Sequence, residues 1–116
     1  MKDNVVKDKS LKFAVRIVNL YKFLVNEQKE FVMNKQILRS GTSIGANIRE
    51  AEQAQSRADF INKLNIALKE ANETEYWLEL LIRTEYITRE QYESINNDST
   101  EINKLLISII KTTKNN

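Results

Sequence analysis

The residues of this chain able to carry chemistry are carboxylates and cations, because its 116 residues include neither histidine nor cysteine. The commonest general base, the commonest metal ligand and the thiol nucleophile are therefore all absent. An all-oxygen site would need Glu50, Glu52, Glu70, Glu73, Glu75 or Glu79 to converge, and the Glu-x-x-His pairs of ferritin-like bundles cannot be made. Glu75 falls nearest a core-facing position, beside Ala71 and Leu78 at helical spacing. A carboxylate there acts as an acid or ligand, or it pairs with an arginine such as Arg49 or Arg39; pairing is the expected role. Ser40, Thr42 and Ser43 have no base to activate them, and Asn47 joins them as a group that bonds backbone or a neighbouring subunit. Gly41 and Gly45 do not form a phosphate loop, which requires a preceding strand and a following Lys-Ser or Lys-Thr. The expectation is a non-enzymatic protein with no catalytic residue, no cofactor and no metal.

The cations are unevenly placed. Net charge is only +2, but residues 1–49 carry ten Lys or Arg against four acids, and residues 50–116 carry eight against twelve. Such an asymmetry draws a polyanion to one surface without making the whole chain a general nucleic-acid binder. The candidates are Lys12 and Arg16 in the first apolar-periodic segment, Lys35, Arg39 and Arg49 in the second, and Arg57 just beyond it. Arg39, Thr42, Ala46, Arg49 and Gln53 fall within about 80° on a helical wheel, the two arginines about 15 Å apart. They would meet phosphates rather than bases, since Tyr21, Tyr76, Trp77 and Tyr92 suit packing better than stacking. The competing role for these cations is solubility or ion pairing, as with Arg49 beside Glu50 or Glu52.

The elements that position these residues are helices. No proline occurs, and both glycines lie inside one helical pattern, which excludes most strand and turn architectures. The apolar spacing predicts helices over about 10–26, 35–55, 57–86 and 89–113 within a single domain, 1–116. Ser10, Asn34 and Ser56 are their predicted caps, and Thr88-Arg89-Glu90-Gln91 reads as a capping box. Short breaks make neighbours antiparallel, giving an all-α, up-down-up-down four-helix bundle. In the first helix Leu11, Ala14, Val15, Val18, Tyr21 and Val25 are taken as the core stripe. A second stripe, Phe13, Ile17, Leu20 and Leu24, lies roughly opposite. In the third helix Phe60, Leu64, Ala67, Ala71, Leu78 and Ile82 form the core face, leaving Ile66, Tyr76, Trp77 and Leu80 off it. The fourth contributes Tyr92, Ile95, Ile102, Leu105, Leu106, Ile109 and Ile110. A lone bundle exposes one side of every helix, so the second stripe and the four off-face residues are expected to form a subunit interface. No apolar run reaches the roughly 20 residues of a membrane span, and the absence of cysteine suits a reducing compartment; a cytoplasmic protein without a membrane partner is expected.

Gly41 and Gly45 sit four residues apart, on the face that carries Ile37, Ile44, Ile48 and Ala51. Each costs about 1 kcal/mol relative to alanine in a helix interior, so the pair implies close approach of another backbone. Gly41, Ile44, Gly45 and Ile48 are assigned to helix packing.

The run Arg39-Ser40-Gly41-Thr42-Ser43-Ile44-Gly45-Ala46-Asn47-Ile48-Arg49-Glu50-Ala51, with Ala58-Asp59-Phe60, Lys63-Leu64, Ala67-Leu68-Lys69-Glu70-Ala71 and Glu75-Tyr76-Trp77-Leu78, resembles the small bacterial four-helix-bundle proteins encoded in intervening sequences of 23S ribosomal RNA genes. The likeness spans nearly the whole chain. It implies a homopentamer, with antiparallel bundles arranged as a barrel around a central channel. The related accessory proteins of diversity-generating retroelements share that architecture and bind nucleic acid and a reverse transcriptase. Partners implied are thus the chain itself, RNA or DNA, and a protein partner. The leading expectation is an oligomeric module that binds RNA or DNA backbone through helices 1 and 2; the alternative is a protein–protein interaction scaffold that binds no nucleic acid.

Overall fold

In the computed structural model, which describes residues 2–116, the chain forms four helices and, among those residues, no strand. They are α1 (Lys2–Asn26), α2 (Met33–Glu52), α3 (Arg57–Arg83) and α4 (Arg89–Asn115), enclosed in 47 × 21 × 19 Å. Each helix packs on the two neighbouring corners of a square: α1 on α2 and α4, α3 on α2 and α4, with no packing across the diagonals. Paired residues run in opposite order along neighbouring helices. On α1 and α2, Lys7 meets Glu52 and Ile17 faces Gly41; on α1 and α4, Lys9 meets Glu101 and Arg16 meets Asp98.

Two of the expected caps are in place. The Ser56 hydroxyl accepts from the Asp59 N–H, and Thr88 and Gln91 exchange both bonds of a capping box. The other two are corrected. Helix α1 begins at Lys2, eight residues before Ser10. Val6 is buried on the same stripe as Phe13 and Ile17, and no glycine or proline interrupts residues 2–10, so the helix continues backward. Ser10, fully inside it, donates to the Lys7 carbonyl. At α2 the cap is Glu30, whose carboxylate accepts the backbone N–H groups of Val32, Met33 and Asn34 at 2.7–2.9 Å. A negative charge there satisfies three of the four unpaired donors of the helix start and complements its dipole. Asn34, expected to cap the helix, is instead its second residue, its side-chain amide donating to the Glu30 carbonyl.

The stripes of α1 exchange roles. Phe13, Ile17, Leu20 and Leu24 are buried in the protomer's own core, whereas Leu11 and Val15 are 49% and 54% exposed. This overturns the assignment of the first four to a subunit interface. Both stripes are apolar and lie on opposite sides of one helix, so periodicity alone cannot choose between them. The choice is made by fit: the stripe with Ile17 and Ser10 is the one that seats against Gly41 and Gly45. On α2 the core face is Ile37, Gly41, Ile44, Ile48 and Ala51. On α3 Leu64, Ala67, Ala71 and Leu78 are buried, joined by Thr74 and Leu81, which periodicity missed; Phe60 and Ile82 are only partly buried. On α4 Ile95, Ile102, Leu106, Ile109 and Ile110 are buried, with Tyr92 and Leu105 at the margin.

Candidate nucleic-acid interface

The six candidate cations do not form one patch. Arg16 turns toward α4, donating through Nη1 to the Ser94 carbonyl and to Asp98 Oδ2 at 2.7 Å, and through Nη2 to Ser94 Oγ at 2.8 Å. Arg39 turns the other way, toward α3, where Nη1 donates to Glu70 Oε2 at 3.0 Å and Nη2 to Glu73 Oε2. With α1, α2, α3 and α4 at successive corners, the α1–α4 and α2–α3 walls are opposite sides of the bundle, so Arg16 and Arg39 open on opposite walls. Lys12 pairs with Asp8 one turn earlier, at 3.2 Å. Three of the six charges are thus already met by carboxylates.

The remaining three are free of such partners. Lys35, Arg49 and Arg57 are exposed, and no ion pair engages them among the described residues. The competing pairing of Arg49 with Glu50 or Glu52 is not among the ion pairs of the described residues; Glu52 pairs with Lys7 at 3.0 Å. Lys35 and Arg49 lie within about 40° on the α2 wheel and about 21 Å apart along it. Arg57 opens α3, beyond the Gln53–Ser56 turn from Arg49.

Around Arg39 the charges are organised rather than free. Glu73 also accepts from Trp77 Nε1 at 3.0 Å, and the Trp77 ring meets Tyr76 edge to face with centroids 5.1 Å apart. The Arg39 hydrogen bond, and then that of Trp77, hold the Glu73 carboxyl below its ordinary 4.5. The hydrogen bond to Glu73 likewise raises the pKa of the Arg39 guanidinium. Glu75 receives no arginine: its partner is the Asn103 amide, at 2.7 Å. No group of three or more Asp or Glu among the described residues is placed to hold a metal ion. No helix among them is long and apolar enough to cross a membrane.

The glycine motif supplies positioning rather than ligand contacts. A Cβ built on Gly41 would lie 2.7 Å from Ile17 Cγ1; one on Gly45 would lie 3.3 Å from Ser10 Oγ. Thr42, Ser43 and Asn47 turn their side chains back to carbonyls one turn earlier on α2. A profile of the 23S rRNA-intervening sequence protein family matches residues 2–108. The chain belongs to that family. Among curated proteins, none matches it. A crystal structure from Bacteroides thetaiotaomicron VPI-5482, described as a protein with unknown function from the S23 ribosomal protein family, is 98% identical in sequence. It superposes with a TM-score of 0.95, the match covering 96% of this chain and 99% of that one.

In this 23S rRNA-intervening sequence protein, the expected interface residues separate by depth. Tyr76 is 59% exposed, while Ile66, Trp77 and Leu80 are half-buried beside the α2–α3 wall. What sequence reasoning missed is the pairing of Arg16 with Asp98 and of Arg39 with Glu70 and Glu73. Asp98 and Glu73 are each distant in sequence from their arginines, and nothing in local spacing identifies the pairs.

Proposed function

We propose that this family member is a non-enzymatic, homo-oligomeric four-helix bundle that binds RNA or DNA backbone in the cytoplasm. The bundle is up-down-up-down, a reading supported by the opposite running order of Lys7–Glu52 and Arg16–Asp98 against the helices that carry them. Five protomers around a channel is the assembly implied by the family resemblance. The apolar surface left on Leu11, Val15 and Tyr76 supports association of copies.

The observation that carries the nucleic-acid reading is that three of the six candidate cations, Lys35, Arg49 and Arg57, are exposed with no ion pair among the described residues. One such triad is a weak phosphate site, but repetition around a ring makes several weak contacts act together. The scaffold reading draws support from Lys12, Arg16 and Arg39, whose charges are met by acids within the protomer.

Fluorescence anisotropy of nuclease-treated protein with a structured RNA and a DNA duplex, across a salt series, separates the two. The expected result is an affinity that falls steeply with salt, a slope that flattens when Lys35, Arg49 and Arg57 are changed together to alanine, and little change with Arg39→Ala. No binding at low salt, with one protein recovered in fixed ratio from pull-down, would establish the scaffold instead.

A further inference from the structure

The seam between α3 and α4 contains polar atoms that no protein group satisfies. Ser99 is fully buried in the core face of α4, and its Oγ has no hydrogen-bond partner. Asn96 Oδ1 and Asn103 Oδ1, also shut off from solvent, have none either. The three residues recur at i, i+3 and i+7, so they lie within about 60° of one another along about 10 Å of helix. The direction of the stripe is fixed by Asn103, whose amide donates to Glu75 Oε2 of α3. That bond also orients the Asn103 carbonyl oxygen away from Glu75. The seam therefore presents two amide carbonyl oxygens and one hydroxyl in a row, none of them with a protein partner.

The α2–α3 seam solves the same problem within the protein. There the buried Thr74 Oγ1 bonds to Ser40 Oγ at 3.0 Å and to the Glu70 carbonyl at 2.8 Å. On the α1–α2 seam the buried Ser10 hydroxyl, seated against Gly45, donates to the Lys7 carbonyl. Asn34 Oδ1 on α2 is a single buried oxygen of the same kind, whereas on α4 three of them lie along one stripe.

We propose that the α3–α4 seam is an internal hydration site, in which ordered water donates to Ser99 Oγ and to the carbonyl oxygens of Asn96 and Asn103. Buried polar groups in proteins are almost always paired, and a buried water bridges two to four of them. Roughly one such water per 27 residues is usual, so a chain of this size holds about four. A water rather than a metal ion fits the chemistry. Glu75 is the carboxylate joined to this stripe, it already accepts an N–H from Asn103, and its neighbour Glu79 is paired with Arg83. Neutral amide and hydroxyl oxygens beside an N–H donor suit a molecule that both donates and accepts.

The test is NMR of the intact protein, reading water cross-relaxation at the Asn103 side-chain amide, together with thermal unfolding of Ser99→Ala. The expected result is a long-lived water signal at Asn103 and a melting temperature lowered by about 4 °C, because the water loses a partner. Absence of that signal, or a Ser99→Ala protein that melts at the same or a higher temperature, would overturn the hydration site, since removing a dry orphan hydroxyl relieves a cost. Melting should also be the same in NaCl, KCl and ammonium chloride at equal ionic strength. Dependence on the cation would overturn the proposal in favour of a monovalent-ion site.

Discussion

A single methyl group separates the two glycines of α2 in what each tolerates. At Gly41 an added Cβ would meet Ile17 Cγ1 at 2.7 Å and Cγ2 at 2.8 Å. The Ile17 branch is buried and cannot swing away. Gly41→Ala should therefore cost about 1–3 kcal/mol despite alanine's better helix propensity. At Gly45 the nearest atom is Ser10 Oγ at 3.3 Å, and a few tenths of an ångström of movement would make room. Gly45→Ala should stay within about 1 kcal/mol of neutral. Urea titration of both variants checks the ordering, and equal losses would refute the difference in fit. The Arg39–Glu73 pair sets a pH dependence. Because Glu73 is held below its ordinary 4.5, its contribution is complete above that value and is lost as pH falls through the lowered one. As pH falls from neutral to below 4.5 the protein should lose more stability than Glu73→Gln does. The difference should stay below about 1 kcal/mol, because solvent screens the pair. Parallel denaturation series at the two ends of that range would measure it.

At the scale of elements, the turns show what it costs to keep both glycines in a helix. The chain leaves α1 and α3 through Lys29 and Glu85, with φ of 53° and 67°. These are left-handed conformations that glycine adopts freely and other residues do not. Lys29→Gly and Glu85→Gly should each raise stability by about 0.5–1 kcal/mol, seen as a higher denaturation midpoint with an unchanged slope. A loss at both positions would mean that their side chains contribute more than the backbone costs. The ends of the helices differ in how plainly they are written. Thr88 and Gln91 cap from positions three residues apart in a known pattern, and this was legible. Glu30 caps α2 through three backbone N–H groups, but it precedes the helix by a Phe31-Val32 turn whose path no propensity fixes, and it was not.

For the whole molecule, the exchange of the α1 stripes relocates the expected contact between copies. The exposed large apolar residues of α1 are Val5, Leu11 and Val15, not the Phe13–Leu24 stripe. Val15→Glu should therefore leave the protomer folded, by circular dichroism, while lowering the mass found by light scattering toward the 13.6 kDa of one chain. Ile17→Glu should instead unfold the protomer, because it places a charge in the core. An unchanged mass for Val15→Glu would remove this face from the assembly. The candidate site is likewise rewritten at this scale. Lys12, Arg16 and Arg39 are drawn off by acids on the same or neighbouring helices, which leaves Lys35, Arg49 and Arg57 as the candidates with no ion pair among the described residues.

The sequence by itself determined the helices, their number and much of their capping, because periodicity, the absence of proline and the Thr88–Gln91 pattern are local properties. It also determined that the glycine pair is a packing feature, since nothing else justifies two glycines in one helix. Only the tertiary structure decided which face of α1 turns inward, which arginines keep a free charge, and that Glu75 meets Asn103 rather than an arginine. Each of these depends on residues brought together from distant positions, Ile17 with Gly41, Arg16 with Asp98 and Arg39 with Glu73, and on the fit between them.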